Sequence, residues 1–183
     1  MDADLKALIA RDKIRECIIR LARGEDRRNA EMITSAYWAD SITDYGVFAG
    51  TFDEYLAWVV PGSPAIPVTQ HVLGQTYIEF ERETAHVETA RCETQVVSYH
   101  RVNMGEAEHD TIVGGRYIDV FEKRGEDWRI ANRMMLYDWY QDFGLANDFT
   151  KGVMGLPFSA EHFPGRAHGD YSEVFFGKGR PAR

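Results

Sequence analysis

Residues 68–80, VTQHVLGQTYIEF, form the first of four long extended runs, and these runs decide the predicted fold. The other three runs cover residues 85–101, 108–123 and 128–141. Only short polar breaks separate them, a spacing that predicts an antiparallel meander of long, strongly curved strands. Helices do not alternate with the runs, so a doubly wound parallel sheet is not expected.

Helix and turn signals precede the runs. The predicted elements are a helix over 5–22, a short helix over 30–38, a strand over 43–48 and a third helix from Thr51 to about Val60. Thr51 and Glu54 fit a capping box, in which each residue satisfies a backbone N–H of the other. Residues 61–67 contain three prolines. Because proline fixes φ and lacks an N–H, this segment is predicted to be a loop, beside His71, where a lid could lie.

Composition indicates one soluble globular domain. The 183 residues are 44% hydrophobic and 27% charged, as is ordinary for such proteins. We expect residues 1–141 to form the folded body and residues 142–183 a covering arm of the same domain. A net charge of −8 argues against nucleic acid and anionic membranes, which need a basic surface. Two cysteines without metal-binding spacing are expected to be free thiols. With no long apolar stretch, the expected location is cytoplasmic.

Asp26 and His71 are the candidate catalytic pair. Asp26 lies where the first helix ends, and His71 lies at the start of the first extended run. Such residues can meet only across an interior, where a neutral imidazole can accept a proton while the carboxylate fixes its tautomer. The alternatives are a core histidine bonded to a backbone carbonyl, and an Asp26 that forms solvated ion pairs with Arg27 and Arg28.

The element order, with Asp26 and His71, resembles the SnoaL-like branch of the nuclear transport factor two-like superfamily over about residues 3–141. The resemblance implies an α+β fold: a cone-shaped α+β barrel with three N-terminal helices packed on a strongly curved, mainly antiparallel sheet around a blind pocket. It implies chemistry without metal or organic cofactor. Members include scytalone dehydratase, hexachlorocyclohexane dehydrochlorinase, bile-acid dehydratase and a formaldehyde-releasing diarylpropane lyase.

The resemblance also implies residue roles. Asp26 and His71 match the dyad shared by the dehydratases and the dehydrochlorinase. Tyr45 resembles the tyrosine that polarises a substrate carbonyl, and Arg133 resembles an arginine on the last strand that would stabilise an oxyanion or a leaving group. Leu21 stands where the dehydrochlorinase has a lysine and bile-acid dehydratase a tyrosine, which makes dehydrochlorination the less expected activity.

Strand alternation predicts the lining of the pocket. On the second run one face carries Gln95, Val97 and Tyr99. We expect the substrate-binding residues to be Gln95, Tyr99, Tyr117 and Tyr137, although each could be ordinary core. A tyrosine-rich lining suits a small hydrophobic or aromatic substrate that carries hydroxyl groups, because tyrosine offers both a ring and an OH.

An apolar stripe is predicted on the outer face of the last run. It comprises Trp128, Ile130, Met134 and Leu136. We expect another subunit or the C-terminal arm to cover it. A homo-oligomer, trimer or dimer, is therefore the expected assembly.

The predicted function is that of a cofactor-independent lyase in which His71 is a general base. Loss of water and loss of formaldehyde are both compatible with this site. The alternatives are a polyketide-cyclase or ketosteroid-isomerase-like enzyme with the same dyad, and a binding protein that does not react. No metal site is expected, because His100 and His109 have no third ligand at a useful spacing.

Overall fold

The computed structural model describes residues 3–81, 88–158, 162 and 171–177. Its elements, in chain order, are α1 (Ala3–Arg27), α2 (Ala30–Thr34), β1 (Tyr37–Asp44), β2 (Ala49–Thr51), α3 (Phe52–Val59), β3 (Val68–Phe80), β4 (Glu88–Asn103), β5 (Glu108–Arg124), β6 (Asp127–Leu145), a single 3-10 turn (Phe149–Lys151) and α4 (Tyr171–Phe176).

The strands form one six-stranded sheet in the order β2-β1-β6-β5-β4-β3. Strands β3 to β6 follow one another as an antiparallel meander. The short β1 joins this meander by pairing parallel to β6. The predicted α+β class, with helices packed on a mainly antiparallel sheet, is confirmed. Within the described residues β2 and β3 form the two edges, so the sheet is not closed.

The first helix packs on one face of the sheet. Ile14, Cys17 and Leu21 of α1 are fully buried in the same cluster as Phe121 and Ile130 of the sheet. Their spacing follows the helical period, so one stripe of α1 faces the core. Each fully buried aliphatic side chain stabilises the fold by about 1.5–3 kcal/mol relative to exposure. Cys17 and Cys92 are free, as predicted, and both are buried.

Local signals predicted α3 correctly. The Thr51 side chain accepts from the Glu54 backbone N–H, and Glu54 Oε2 accepts the Thr51 backbone N–H at 2.8 Å, so the capping box is confirmed. The proline-rich segment 61–67 is a loop, also as predicted.

The predicted second helix is too long. It ends at Thr34, and Tyr37 and Trp38 belong to β1 rather than to a helix over 30–38. Tyr37 pairs with Ile130 of β6 and is 1% exposed. Pairing with a strand far along the chain therefore overrides the local helical pattern. The strand predicted over 43–48 therefore lies earlier in the chain, where β1 covers Tyr37–Asp44.

The predicted outer stripe on β6 is also wrong. The β5–β6 register shifts between the Asn132↔Val120 and Ile130↔Phe121 pairs, which leaves Ala131 as an extra residue. Such a bulge moves the following side chains to the other face. Trp128 and Ile130 consequently lie in the core, whereas Met134 is 44% exposed and Leu136 is partly buried.

Described parts of the C-terminal arm contact the body. The Arg23 side chain of α1 donates to Ser172 Oγ at 3.1 Å and stacks over the Phe176 ring. Arg101 of β4 lies over the Phe149 ring, 4.8 Å from its centroid. These contacts agree with an arm that packs on the domain, and the division at residue 141 stays a prediction.

Candidate active site

His71 and Asp26 are in direct contact. Asp26 Oδ1 lies 2.7 Å from His71 Nδ1, and Asp26 Oδ2 accepts the His71 backbone N–H at 3.0 Å. Their side chains are only 11% and 14% exposed. Because the carboxylate holds Nδ1 as the protonated nitrogen, the ring is fixed in the tautomer that leaves Nε2 as the proton acceptor.

The end of α1 brings Asp26 to this position. Gly24 allows α2 to approach closely, since a Cβ at Gly24 would lie 3.0 Å from side-chain atoms of Met32 and Ile33. The helix then stops at Arg28, which adopts φ 52°. The Arg28 guanidinium donates to the Val59 carbonyl at 2.9 Å and so ties the end of α1 to the end of α3.

Glu25 is a site residue that the sequence interpretation missed. Its Oε2 lies 3.6 Å from His71 Nε2, and its side chain is 8% exposed. Its Oε1 accepts a hydrogen bond from the Tyr55 hydroxyl, and the Tyr45 hydroxyl lies 3.3 Å from the same oxygen. A signal was present: Glu25 follows the buried Leu21 by four residues, and so continues the buried stripe of α1.

These groups line a cavity of about 370 Å³. Its lining residues are Glu25, Arg28, Tyr45, Val47, Tyr55, Trp58, Val59, Ser63, Ile66, Thr69, His71, Ser98, His100, Val113, Tyr117, Met135 and Tyr137. The wall is largely aromatic and apolar, with a few polar groups. Its volume lies at the small end of the range for small-molecule sites.

The charges around His71 favour its protonated form. Burial alone would lower the pKa of His71, but the hydrogen bond to Asp26 and the negative charges of Glu25 and Asp26 outweigh burial and the opposing charge of Arg133, so this pKa is raised. A raised pKa makes the imidazole a stronger base once it is neutral.

The cavity tyrosines remain protonated. Burial, followed by the negative charge of Glu25, raises the pKa of Tyr45, Tyr55 and Tyr117 well above the ordinary value. Tyr45 and Tyr55 also stack, with ring centroids 5.5 Å apart. Both hydroxyls therefore act as fixed hydrogen-bond donors toward Glu25.

Arg133 does not line the cavity, contrary to the expectation that it faces the pocket. Its Nε and Nη2 donate to the two oxygens of Asp119 at 2.7 and 2.8 Å, and the pair is almost completely buried. Its guanidinium lies over the Tyr117 ring, 3.9 Å from the centroid. A buried guanidinium needs a carboxylate partner, and Asp119 is that partner. Arg133 therefore contacts the cavity wall through the Tyr117 ring.

Gln95 and Tyr99 do not line the cavity either. Ser98 is the β4 residue opposite His71 in the register, so Ser98 shares the inner face and its odd-numbered neighbours point outward. Gln95 is exposed, and the Tyr99 hydroxyl donates to Asp110 at 2.6 Å. The alternation was read correctly, but the face was assigned wrongly.

Tyr117 and Tyr137 are placed in the cavity wall, as expected. The Tyr137 hydroxyl donates to the Tyr45 carbonyl oxygen at 2.8 Å and so connects β6 to the end of β1. The sequence therefore brings Tyr45, His71, Tyr117 and Tyr137 together around one cavity, with Asp26 behind His71.

Metal and membrane features are absent from the part of the chain that the structure describes. No group of three or more histidine, cysteine, aspartate or glutamate side chains in it could hold a metal ion. None of its helices combines the length and apolar character needed to cross a bilayer. His109 Nδ1 pairs with Asp142 Oδ2 at 3.0 Å.

Comparisons with known proteins agree with this fold. The sequence profile of the SnoaL-like domain matches residues 6–134. No curated protein matches the chain significantly. Among solved structures, a candidate scytalone dehydratase from Novosphingobium aromaticivorans DSM 12444 is 19% identical with a TM-score of 0.62, covering 76% of this chain and 91% of that one.

Two further structures are similar at comparable identity. The hexachlorocyclohexane dehydrochlorinase LinA-type3 from Novosphingobium barchaimii LL02 is 16% identical with a TM-score of 0.65, covering 86% of this chain and 99% of that one. Rv3472(D26N), a protein of unknown function from Mycobacterium tuberculosis, is 16% identical with a TM-score of 0.62, covering 75% of this chain and 77% of that one. These likenesses show a shared fold. Since the domain profile spans most of the chain, the protein belongs to the SnoaL-like family, with the nuclear transport factor two-like fold.

Proposed function

We propose that this protein is a cofactor-independent lyase that eliminates water or formaldehyde from a small hydroxylated aromatic or polycyclic compound. One observation carries the proposal: His71 is held by Asp26 through Nδ1, which leaves Nε2 for an aromatic-lined cavity. A general base needs this geometry, with one nitrogen oriented by the protein and the other offered to the substrate.

Each residue of the site has a role in this proposal. His71 removes a proton from a carbon beside a carbonyl, or from a hydroxyl. Asp26 holds the tautomer and stabilises the imidazolium that forms. Tyr45 donates its hydroxyl proton toward Glu25 Oε1 at 3.3 Å, so its role is to orient that carboxyl group beside His71. Arg133 acts indirectly, through the Tyr117 ring on which it lies.

The cavity supports the substrate class. Tyr45, Tyr55, Trp58, Tyr117 and Tyr137 contribute rings to its wall. Aromatic walls favour a flat apolar ligand, and tyrosine hydroxyls add partners for substrate oxygens. The volume of about 370 Å³ suits a compound of a few rings rather than a polymer.

Assembly as a homo-oligomer, trimer or dimer, remains part of the proposal. The far end of β6 exposes Trp139, Tyr140 and Phe143, each about half exposed or more. Contiguous exposed aromatic residues often mark an interaction surface. A cytoplasmic location likewise stays a prediction.

The test is turnover of aryl-substituted β-hydroxy ketones and 1,3-diols, followed by mass spectrometry. Elimination lowers the mass of a β-hydroxy ketone by that of water or formaldehyde, and that of a 1,3-diol by that of water, or of water and formaldehyde together. His71→Ala should reduce the rate by roughly 10²–10⁴-fold, the usual contribution of a general base. His109→Ala is the matched control, because His109 also pairs with an aspartate but lies outside the cavity lining.

Three results would contradict the lyase proposal. A product of unchanged mass would indicate an isomerase or cyclase that uses the same dyad. Ligand binding without turnover, retained in His71→Ala, would indicate a binding protein. Equal loss of activity in His71→Ala and His109→Ala would show that His71 has no catalytic role that His109 lacks.

A further inference from the structure

A second ionisable group faces the same cavity as the proposed base. Glu25 Oε2 lies 3.6 Å from His71 Nε2, the nitrogen that the lyase proposal assigns to substrate. Both side chains line the cavity. A substrate that reaches Nε2 must therefore also contact the Glu25 carboxyl group.

The two oxygens of Glu25 have different surroundings. The Tyr55 hydroxyl donates to Oε1, and the Tyr45 hydroxyl lies 3.3 Å from the same atom. Two tyrosine donors thus anchor Oε1 and turn Oε2 toward His71. An oxygen that already accepts hydrogen bonds is a poorer place for a proton than the other oxygen of the same carboxyl group. Oε2 is consequently the atom at which Glu25 would gain or lose a proton.

His71 has neighbours on every element that packs against it. Helix α1 contributes Glu25 and Asp26, strand β4 contributes His100, whose ring centroid lies 6.4 Å away, and strand β6 contributes the positive charge of Arg133. Asp26 engages Nδ1, so Glu25 is the carboxylate within 4 Å of Nε2. One proton can therefore pass between Nε2 and Oε2 across this contact.

We propose that Glu25 is the second proton-transfer residue of the site, whose Oε2 supplies the proton taken by a leaving hydroxyl group. The inference rests on the proposed lyase function and assigns its reaction to dehydration. His71 Nε2 takes the C–H proton, and the electrons of that bond form the new C=C bond. The C–O bond breaks with its electron pair on oxygen, and that oxygen takes the Glu25 proton and departs as water.

The same contact regenerates the site. After one turnover His71 is an imidazolium and Glu25 is a carboxylate. Transfer of one proton from Nε2 to Oε2, across the 3.6 Å contact, returns the pair to its reactive form, in which His71 is neutral although its surroundings favour the protonated imidazole. No proton from solvent is needed to reset the two groups. Tyr45 and Tyr55 are positioning residues here, because they hold the carboxyl group in place.

The test varies the leaving group. We compare a β-hydroxy ketone with the matching β-acetoxy ketone, because acetate leaves readily without a proton and hydroxide does not. Glu25→Gln should lower kcat for the hydroxy substrate by roughly 10²–10⁴-fold, the range of general acid catalysis. For the acetoxy substrate the loss should be small. Glu31→Gln, at an exposed position on α2, is the matched control and should change neither rate.

The outcomes separate this inference from the function on which it rests. If wild-type protein eliminates neither leaving group, the lyase proposal fails, and the inference fails with it. If wild type eliminates both and depends on His71, but Glu25→Gln loses both equally, Glu25 has only a structural role and the inference alone is overturned. Unchanged rates in Glu25→Gln overturn it as well.

A second variant guards against misfolding. Glu25 is buried among polar partners, so thermal unfolding must first show that Glu25→Gln is folded. If it is not, Tyr55→Phe is used, which keeps the carboxyl group and removes one of its donors. Tyr55→Phe should show a smaller loss of kcat, still confined to the hydroxy substrate. Equal losses for the two substrates would overturn the inference.

Discussion

Two histidine–aspartate pairs lie in the part of the chain that the structure describes, and they differ in surroundings rather than in contact distance. His71 and Asp26 approach to 2.7 Å at the cavity, and His109 and Asp142 approach to 3.0 Å at the far end of β5 and β6. The first pair is 11% and 14% exposed, and the second is 28% and 35% exposed. The pair alone therefore does not define a catalytic site.

Three features distinguish the cavity pair. Both oxygens of Asp26 bond to His71, one to the ring and one to the backbone N–H. A second carboxylate, Glu25, lies near the other ring nitrogen. The ring also borders an aromatic cavity. Asp142 instead shares its hydrogen bonds between His109 and the backbone N–H of Gly144, and these hold the pKa of Asp142 below its ordinary value.

The largest expected difference is in turnover after removal of each aspartate charge. Asn at position 26 can donate to Nδ1, which moves the ring proton to Nε2 and removes the acceptor. Asp26→Asn should therefore reduce kcat by about 10²–10⁴-fold, as loss of the base itself would. Asp142→Asn is the control and should leave kcat within a factor of about two of wild type. Similar rates for the two variants would erase the distinction between the pairs.

The Arg133–Asp119 pair shows that deep burial of an ion pair does not by itself place the pair at the cavity. It is more deeply buried than His71–Asp26, yet it does not line the cavity. Arg133→Met should lower the free energy of unfolding by about 3–5 kcal/mol, because Asp119 is left as an unpaired buried charge. The double variant with Asp119→Leu should recover most of that loss. Urea unfolding measures both, and a double variant no more stable than Arg133→Met would contradict this account.

The smallest effect is the pH dependence of stability. The pKa of His71 is raised in the folded protein. Its contribution to stability is therefore fully present below the unfolded pKa of about 6.5 and is lost as the pH rises through the folded pKa, by about 1.4 kcal/mol for each unit between the two values. Urea unfolding at a series of pH values gives the free energy of unfolding of wild type and of His71→Ala. The difference between the two should show this decline. Parallel curves would show that His71 has no raised pKa.

The sequence predicted the long elements well because their signals are local. The first run was predicted as 68–80, and β3 covers Val68–Phe80. The capping box fixed the start of α3, and the prolines placed the loop before β3. Asp26 and His71 were expected to meet across an interior, and their side chains are in contact. Their catalytic role stays a prediction.

The faces of the strands could not be predicted in the same way. Side chains alternate with a period of two, so one extra residue exchanges the two faces. The bulge at Ala131 places Trp128 and Ile130 in the core, and Arg133 follows them inward. On β4 the partner of His71 is Ser98, which points Gln95 and Tyr99 outward. A register belongs to two strands at once, and neither strand encodes it alone.

By itself, the amino-acid sequence determined the order of the long helices and strands and the capped start of α3, because these depend on neighbours along the chain. Only the tertiary structure decided that Glu25 joins His71 at the cavity and that Arg133 is occupied by Asp119. Those contacts join α1 to β3 and β5 to β6, and the free energy of a buried charge depends on which partner lies within a few ångströms of it.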